Sequence, residues 1–419
     1  MKRLGPLLLV LVLLGYAVLG ARPAWKVMNA SRWGRDYATY HYGLIEAVNA
    51  GGPGRGDPYD RAAVSRRARK AGTSKAVHPY FYPPPALLPM LWIDPPGLPA
   101  LSLAASLKAW FVIQQLSVAA VALVLWRWLS SPPLMLALLF CLFSPIPDNL
   151  KMGQANLPVL LLLVLGLWRG QGALVGAAAM VKMSPAVHLL GLAASGRWRA
   201  VGAAILAAIL LSVLALPLVP LDTQLRFYLE VLPGFSSGEY NGLGVPITMP
   251  SNHSIPDLLN QLWPGPDDHT LDPRARFGSQ GLVVLLFGVV ALAGRGRWDA
   301  LGLASLHGVL SVLMVLAPVY AYEHHLVFLL LPIVAAFTSW WQGRLPRAWV
   351  LLLLPAYVAL AWPLSGLRDL QQSAPPALQW WLQECKFFGA VLFGLACVEV
   401  LRRSPRPGNG SVEHAYKLE

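Results

Sequence analysis

The chain alternates between long apolar runs and short polar connections from its first residues to about residue 400. The runs are rich in Leu, Ala, Val and Gly and end in Trp, Arg or Pro, a pattern typical of membrane-spanning helices and not of alternating barrel strands. We predict an all-α polytopic membrane protein with about 12 helical segments, forming one transmembrane domain over residues 1–403. The predicted segments are 4–21, 102–126, 132–147, 154–168, 171–182, 185–195, 200–220, 279–294, 300–320, 324–341, 347–364 and 385–401.

The basic residues of the connections predict how the chain crosses the membrane. Lys and Arg accumulate in short cytoplasmic loops, so we place both termini in the cytoplasm, together with the connections that carry Arg169 and Arg197. Two long extracytoplasmic loops follow from this arrangement, at about 22–101 and 221–278. The tail 404–419 is polar, contains Pro and Gly, and is predicted to be a disordered cytoplasmic segment.

Arg169 and Arg197 face the same side only if the residues between them enter the membrane and return. Two half-length helices of roughly 11 residues, each about 16–18 Å long, would make this path. Their reversal falls at Lys182-Met183-Ser184-Pro185, at membrane depth. Irregular backbone is tolerated there where it lines a polar cavity or is buried in protein. We therefore expect Lys182 to lie in the same cavity as the polar loops.

Composition supports the membrane assignment and excludes other classes. Of 419 residues, 56% are hydrophobic and 13% are charged, about half the charged fraction of a soluble domain. The net charge of +13 comes from clusters between apolar runs, which indicates orientation signals and not nucleic-acid binding. The three cysteines have no disulfide or metal spacing, and phosphate-loop, nucleophile-elbow and zinc-protease motifs are absent. We expect no metal and no cofactor, and we interpret the first apolar run as an uncleaved helix.

Polar chemistry concentrates in the first long loop, between Arg35 and Pro85. Ionisable residues beside a membrane are default candidates for function. Asp36 begins an amphipathic pattern and is our candidate general base. It must be ionised to act, and burial opposes ionisation, so a cation such as Arg35 or Lys182 is expected nearby. The alternative is that Asp36 only suits the positive end of a helix dipole.

The adjacent residues His324 and His325, at the predicted outer end of a helix, are a second candidate. Adjacent helical residues point about 100° apart, so at most one imidazole would face a given ligand. The pair lacks the spacing and the further ligand of a zinc site. Either it binds an anion together with a helix N-terminus, or it caps the helix, and both interpretations stay open here.

Two other features of the long loops also keep two interpretations, and a third carries little weight. The rigid stretch Tyr82-Pro83-Pro84-Pro85 is either a wall of a substrate cleft or a stiff connector. Asn252 belongs to a polar cluster in the second loop that carries little weight alone. The basic run 61–75 either meets phosphate-bearing lipids or is solvated. Residues 22–97 hold eleven Lys and Arg against five Asp and Glu, an excess that long extracytoplasmic loops tolerate.

Seven short motifs occur in an order that resembles glycosyltransferase family 87 of the GT-C superfamily, also described as the DUF2029 group. The motifs are Arg35-Asp36-Tyr37 with Tyr40, Asp57-Pro58-Tyr59, Tyr82-Pro83-Pro84-Pro85, Gly153-Gln154-Ala155-Asn156, Lys182-Met183-Ser184-Pro185, Asn252-His253-Ser254-Ile255 and Glu323-His324-His325. Each motif is weak alone, and their shared order carries the resemblance. It covers about residues 1–400 and implies a GT-C-like helical bundle.

The resemblance implies an enzyme that moves a sugar from a polyprenyl-phosphate donor to a glycolipid or glycan acceptor. The transfer would invert the anomeric carbon, without a nucleotide sugar, among the lipids at the outer face of a bacterial inner membrane. Asp36 would take the proton of the acceptor hydroxyl, and His324, His325 and Lys182 would bind the donor phosphate. The substrate cleft would be lined by Arg35, Tyr40, Tyr82, Gln154, Asn156 and Asn252. Because a lipid phosphate is a good leaving group, such an enzyme works by positioning and charge stabilisation.

The chain departs from the family pattern in three places. It has Asn-His-Ser-Ile where the family has Asn-Gln-Ser-Leu, Tyr322 stands where a Trp usually precedes the histidines, and the basic insertion 61–75 is unusually long and charged. These departures concern the acceptor more than the reaction. Mannose and arabinofuranose are both donor sugars of the family, and we favour a mannosyltransferase. The competing classes are a carrier or flippase for lipid-linked sugars and a membrane assembly partner with a degenerate site.

Overall fold

A computed structural model describes residues 4–28, 33–48, 56–73, 77–95, 99–237, 245–296 and 298–404. These ranges contain nineteen α-helices and no β-strand. The α-helices are α1 (Leu4–Val27), α2 (Arg35–Val48), α3 (Arg61–Lys70), α4 (Leu103–Leu129), α5 (Pro133–Cys141), α6 (Pro145–Met152), α7 (Asn156–Arg169), α8 (Gly172–Val181), α9 (His188–Ala194), α10 (Trp198–Leu214), α11 (Leu221–Arg226), α12 (Leu232–Ser237), α13 (Ile255–Leu262), α14 (Pro273–Ala293), α15 (Ala300–Leu316), α16 (Leu330–Trp341), α17 (Val350–Ala361), α18 (Leu364–Ser373) and α19 (Pro376–Arg403). Short 3₁₀ helices are Pro84–Ile93, Ser184–Val187, Glu323–Leu329 and Arg347–Trp349, and a π-helical turn spans Phe227–Val231.

Four helices in the described ranges are long and apolar enough to cross a membrane. They are α1, α4, α14 and the continuous helix formed by Glu323–Leu329 and α16, and two bent pairs raise the number to six if each pair is one span. The prediction of an all-α membrane protein is therefore confirmed, whereas about 12 segments and the sidedness of the loops stay predictions. The helix from Glu323 to Trp341 is mostly buried inside the protein, while α1 and α14 leave most of their apolar surface exposed.

Several predicted segments have different bounds in the structure, and in three of them a proline marks the difference. The segment predicted at 132–147 is two helices, α5 and α6, which meet at 53° next to Pro145. The segment predicted at 347–364 ends before Pro363, and α18 turns away from it by 101°. Proline removes a backbone donor and clashes with the preceding turn, so it interrupts a helix where apolar character alone would continue it. The last helix begins at Pro376 and not at 385, because the mixed polar and aromatic residues 376–384 extend it.

The path between α7 and α10 reverses as the sequence predicts. Gly172 of α8 lies against the backbone of Ala200, and Gly176 lies against Ala204, so α8 and α10 run in parallel. The segment 184–196 must therefore return to the starting end, where Arg197 Nη1 donates to the carbonyl of Leu167. Small residues let two membrane helices approach closely, which explains this packing. The reversal between α8 and the Ser184–Val187 turn begins with Lys182 in extended conformation.

The two long loops pack on each other through aromatic rings and an ion pair. Tyr59 stacks on Phe227 with ring centroids 5.2 Å apart, and Phe81 stacks on Phe235 at 4.8 Å. Arg226 forms an ion pair with Asp57 of the first loop. The 3₁₀ helix Glu323–Leu329 packs against α6, α7 and α15, and the 3₁₀ helix Pro84–Ile93 packs against α2. These contacts join the two long loops, and they place the 3₁₀ helix Glu323–Leu329 beside the helices that flank the turn 153–156.

Candidate functional site

The turn between α6 and α7, Gly153-Gln154-Ala155-Asn156, lies at the centre of the candidate site. Gly153 has a φ of 74°, in the left-handed region that favours glycine. A Cβ at this position would lie 2.6 Å from Cβ of Tyr37, so α2 passes directly against the turn. Trp110 Nε1 also donates to the carbonyl of Gly153 over 2.8 Å. The backbone of the turn is thus held between α2 and α4.

Gln154 connects this turn to the candidate base. Its Nε2 donates to Oδ2 of Asp36 over 2.8 Å. Its Oε1 accepts hydrogen bonds from the hydroxyls of Tyr40 at 3.2 Å and Tyr82 at 3.1 Å. Because both hydroxyls donate to the amide oxygen, the amide nitrogen is the end that faces the carboxylate. The two tyrosine rings stack at 4.2 Å, which places the predicted cleft residues side by side.

Asp36 lies in the first turn of α2 and is 9% exposed. This position suits the helix dipole and is also compatible with a general base, so the two interpretations do not exclude each other. Burial raises the pKa of the Asp36 carboxyl above its ordinary value, whereas the positive field of His78, the Gln154 hydrogen bond, and Lys182 and Arg35 lower it. Burial lowers the pKa of the His78 imidazole, and the Asp36 carboxylate opposes that shift. A general base works best with a pKa near the working pH, which a raised carboxyl pKa approaches.

Asn156 connects the same turn to Lys182 and to the histidines. Lys182 Nζ donates to Oδ1 of Asn156 over 2.6 Å. Asn156 Nδ2 donates to the backbone carbonyl of His324 over 2.7 Å. Both ends of one fully buried amide are therefore used, and they fix the ammonium group beside the backbone of His324. The half-buried Lys182 is drawn to the polar residues, as its position in the sequence predicts.

The two histidines begin the 3₁₀ helix Glu323–Leu329 in different environments. The backbone N–H of Tyr322 donates to Nδ1 of His325 over 3.3 Å, so His325 does cap its helix. An imidazole that accepts at Nδ1 carries its proton on Nε2, which leaves that N–H to donate to a ligand. His324 is 5% exposed, and its Nδ1 lies 4.0 Å from Oδ2 of Asp148. Of the two, the half-buried His325 is the better placed to donate to an anion.

The structure gathers most of the predicted site residues into one connected polar group. Asp36 and Gln154 are hydrogen bonded, and Asn156, two residues further along the same turn, bonds to Lys182 and to the His324 backbone. Arg35 precedes Asp36 and acts on its charge. The arrangement places a carboxylate and cationic or N–H donors around one turn, which suits proton abstraction close to stabilisation of a developing negative charge.

Asn252 has a different place from the one that its motif suggests. It is fully buried, and its amide is used by backbone: Oδ1 accepts from the N–H of Ala321, and Nδ2 donates to the carbonyls of Ile247 and Val319. It therefore holds the segment before the histidines, and its contact with a substrate cleft stays a prediction. A sequence motif does not show whether a polar side chain bonds to the backbone or faces a ligand.

Four residues near the site were assigned no role in the sequence. His78 acts on Asp36, Asp148 lies beside His324, and Glu323 and Lys386 form a buried ion pair next to the histidines. His78 is two residues before Tyr80-Phe81-Tyr82, and Asp148 follows Pro147, so a search for polar residues flanking the motifs would have found both. Within the described ranges, no three His, Cys, Asp or Glu side chains form a group that could hold a metal ion.

Comparison with known proteins identifies relatives of the chain. The family model described as Glycosyltransferase family 87 matches residues 80–318, more than half of the chain. This match includes Tyr82, Gln154, Asn156 and Lys182 but ends before the two histidines. A Mycolicibacterium smegmatis protein named polyprenol-phosphate-mannose-dependent alpha-(1-2)-phosphatidylinositol pentamannoside mannosyltransferase is 29% identical over 196 residues. The alignment spans 45% of this chain and 43% of that protein.

Proposed function

The chain belongs to glycosyltransferase family 87, and from this we propose that it transfers a sugar from a polyprenyl-phosphate donor to a glycolipid or glycan acceptor. Mannose is the favoured sugar, because the M. smegmatis relative is named for polyprenol-phosphate-mannose, and arabinofuranose is the second choice. The observation that carries the proposal is the single turn 153–156, whose side chains bond to the Asp36 carboxylate on one side and to Lys182 on the other.

The proposed reaction is a single displacement at the anomeric carbon. The acceptor hydroxyl oxygen forms a bond to this carbon while the bond from the carbon to the phosphate oxygen breaks. The hydroxyl proton passes to the carboxylate of Asp36, and the bonding electron pair leaves with the polyprenyl phosphate. One displacement inverts the anomeric configuration. We place the reaction at the outer face of a bacterial inner membrane, with both termini in the cytoplasm.

Asp36 serves as the general base in this proposal. Its Oδ2 receives the Gln154 N–H, which leaves Oδ1 as the oxygen that can accept the proton. The positive field of His78, Lys182 and Arg35 favours the ionised carboxylate that the reaction needs, although burial opposes it. Tyr40 and Tyr82, stacked beside Gln154, would form one wall of the acceptor site.

Lys182 and the histidines serve the donor phosphate. The phosphate gains negative charge as the sugar departs, and prearranged cations and N–H donors stabilise that charge in a site of low dielectric. Asn156 holds the Lys182 ammonium, and Tyr322 orients the His325 ring so that its Nε2–H is the donor. These groups are fixed before the donor arrives, so little reorganisation is needed during the reaction.

Purified protein in detergent, incubated with polyprenyl-phospho-mannose and a membrane glycolipid extract, tests the proposal. We expect a new mannosylated lipid, and Asp36→Asn should lower its rate by roughly 10²–10⁴-fold, the usual contribution of a general base. Asp60→Asn is the matched control, because Asp60 is an exposed helix cap of the same loop and asparagine caps equally well.

The outcomes separate the competing functions. Full activity of Asp36→Asn would refute the assignment of the base. Failure of the wild-type protein to form a glycosidic bond with either sugar donor would refute the transferase itself. A carrier or flippase would instead move the lipid-linked sugar across a vesicle membrane without consuming it, which a translocation assay on the same preparation measures.

A further inference from the structure

Lys386 is a fully buried lysine that bonds to the first residue of the 3₁₀ helix carrying both histidines. It belongs to α19 and has no exposed surface. Its Nζ donates to Oε2 of Glu323 over 2.6 Å, to the carbonyl of Trp362 over 2.7 Å and to that of Leu360 over 3.3 Å. An ammonium group has three protons, and three acceptors surround this one. Lys386 therefore has no donor left for a substrate.

Glu323 is the first residue of the 3₁₀ helix that carries both histidines, and it is bonded on both oxygens. Oε2 accepts from Lys386, and Oε1 lies 3.0 Å from Nε2 of His253, a residue of the second long loop. The backbone N–H of His253 donates to the carbonyl of Ala321, two residues before Glu323. One carboxylate thus joins α19, the second loop and the start of the histidine helix.

This network contributes geometry more than stability. Burying an ion pair removes two charges from water, and replacing such a pair with apolar residues often leaves stability unchanged or increases it. The bonds at 2.6 Å and 3.0 Å nevertheless fix the Glu323 carboxylate in two directions at once. The next residues, His324 and His325, begin a 3₁₀ helix with only short i to i+3 bonds. Their backbone is therefore held from outside the helix, by Glu323 on one side and by the Asn156 bond to the His324 carbonyl on the other.

We propose that Lys386 and Glu323 are positioning residues for the lipid-phosphate ligand, acting through the backbone of His324 and His325. The inference rests on the proposed function, since the histidines are the groups that bind the donor phosphate in it. Loss of the ion pair lets the start of the 3₁₀ helix shift, which moves the His325 Nε2–H away from the phosphate. Asp36 and the turn at Gln154 belong to other elements and stay in place.

The decisive variant is Lys386→Met, which removes the charge and keeps most of the side-chain length. We expect the KM for the polyprenyl-phospho-sugar to rise about tenfold or more while the KM for the acceptor is unchanged. Binding of a short-chain polyprenyl monophosphate, measured without acceptor, should weaken by a similar factor. Arg402→Met is the matched control, since it is a basic residue of the same helix in an exposed pair with Glu399. It should change neither quantity.

A double variant keeps the inference testable if Lys386→Met alone does not fold. Glu323→Gln/Lys386→Met leaves no unpaired charge in the core, so we expect it to fold. Its donor KM and its affinity for polyprenyl monophosphate should still be about tenfold poorer than those of the wild type. A double variant with wild-type values for both would overturn the positioning role and leave the network as packing alone.

The two proposals fail in different ways. If the wild type transfers sugar and the Lys386 variants keep its donor KM, the positioning role is wrong and the transferase stands. If the wild type transfers no sugar, the transferase is wrong, and the polyprenyl monophosphate measurement still decides whether Lys386 and Glu323 control a lipid-phosphate site. Equal losses in donor and acceptor KM would also count against positioning, because they indicate a general distortion.

Discussion

Gln154 donates a hydrogen bond from its side-chain amide to the carboxylate of Asp36 over 2.8 Å. The amide is oriented by two tyrosine hydroxyls that donate to its oxygen, so its nitrogen faces the carboxylate. This bond favours the ionised carboxylate and lowers the pKa of Asp36, opposing the effect of burial. Gln154 is thus tied to the protonation state of the proposed base, a role that can be measured.

Gln154→Leu is expected to move the acidic limb of the pH profile to higher pH. Removing the hydrogen bond raises the pKa of Asp36 further, so a smaller fraction of the base is ionised at any pH below that value. Measuring kcat/KM against pH for the wild type and the variant checks this. Tyr82→Phe removes a bond to the other end of the amide and should leave the limb in place. A lower rate at every pH with an unmoved limb in Gln154→Leu would contradict the role.

His325→Leu is expected to weaken donor binding more than His324→Leu does. His325 offers an Nε2–H, and one hydrogen bond to a charged phosphate is worth about 1.5–3 kcal/mol, or roughly 10–150-fold in affinity. His324 contributes chiefly its backbone carbonyl to Asn156, which every side chain retains. Binding of polyprenyl monophosphate to the two variants makes the comparison. A larger loss in His324→Leu would show that the other imidazole faces the donor.

Gly153→Ala is expected to lower both stability and activity. The left-handed φ of 74° costs an alanine about 1–2 kcal/mol, and the new Cβ would also stand 2.6 Å from Cβ of Tyr37. Since Tyr37 cannot give way without moving α2, Asp36 should move as well. Gly72→Ala is the control, with a φ of 69° and nothing within 4 Å of the new Cβ.

The test compares the Tm and the transfer rate of the two glycine variants, with the rates measured at a temperature at which both are folded. Gly72→Ala should lose only the stability expected from backbone strain and keep its transfer rate. If Gly153→Ala is no less stable than Gly72→Ala and equally active, the close approach of α2 to the turn is not needed.

Asp257→Asn is expected to stabilise the protein above neutral pH. Asp257 is fully buried, and Gln261 Nε2 lies between its carboxylate at 3.4 Å and that of Glu384 at 2.8 Å. Burial, with the nearby charge of Glu384, raises the pKa of Asp257 to about 8. The folded state therefore favours the protonated acid. Its stabilising contribution is complete below about pH 4, the pKa of an unfolded aspartate, and is lost as the pH rises through about 8.

The variant removes this loss, because asparagine stays neutral. The Tm difference between Asp257→Asn and the wild type should grow from near zero in acid to several degrees in mildly alkaline buffer. Asp60→Asn, at an exposed helix cap, is the control for the same substitution outside the core. A constant Tm difference across the same pH range would contradict the raised pKa of Asp257.

The sequence predicts the helical class and the in-and-back path at Lys182 because both follow from local physics. Long apolar runs require helices in a bilayer, and basic ends on both sides of 170–196 require a reversal. The helix breaks at Pro145 and Pro363 were missed because the apolar runs continue through them. The order of the motifs identified Asp36, Gln154, Asn156 and Lys182 as candidate site residues. The hydrogen bonds that join them depend on tertiary packing and could not be predicted.

The ion pair between Lys386 and Glu323 could not be predicted from the sequence. Lys386 lies one residue into a predicted apolar segment, where a lysine near a helix end usually reaches towards the membrane surface. Its partner Glu323 is 63 residues away, and no spacing rule connects them. Asn252 gives the opposite case, since a recognisable motif residue serves the backbone. The motifs could be recognised in the sequence. Which of their residues face a ligand and which hold the backbone could be seen only in the fold.

The packing of Gly172 and Gly176 on α10 fixes α8 along its axis, so the length of α8 sets the depth of the Lys182 ammonium group in the bundle. Ten residues at 1.5 Å each set Lys182 about 15 Å from the end of the bundle where Arg197 donates to the carbonyl of Leu167. An inserted residue would swing the lysine by about 100° and push it 1.5 Å further, out of reach of Asn156. The depth of the proposed lipid-phosphate site is therefore set by the length of one short helix, and not by the thickness of the surrounding bilayer.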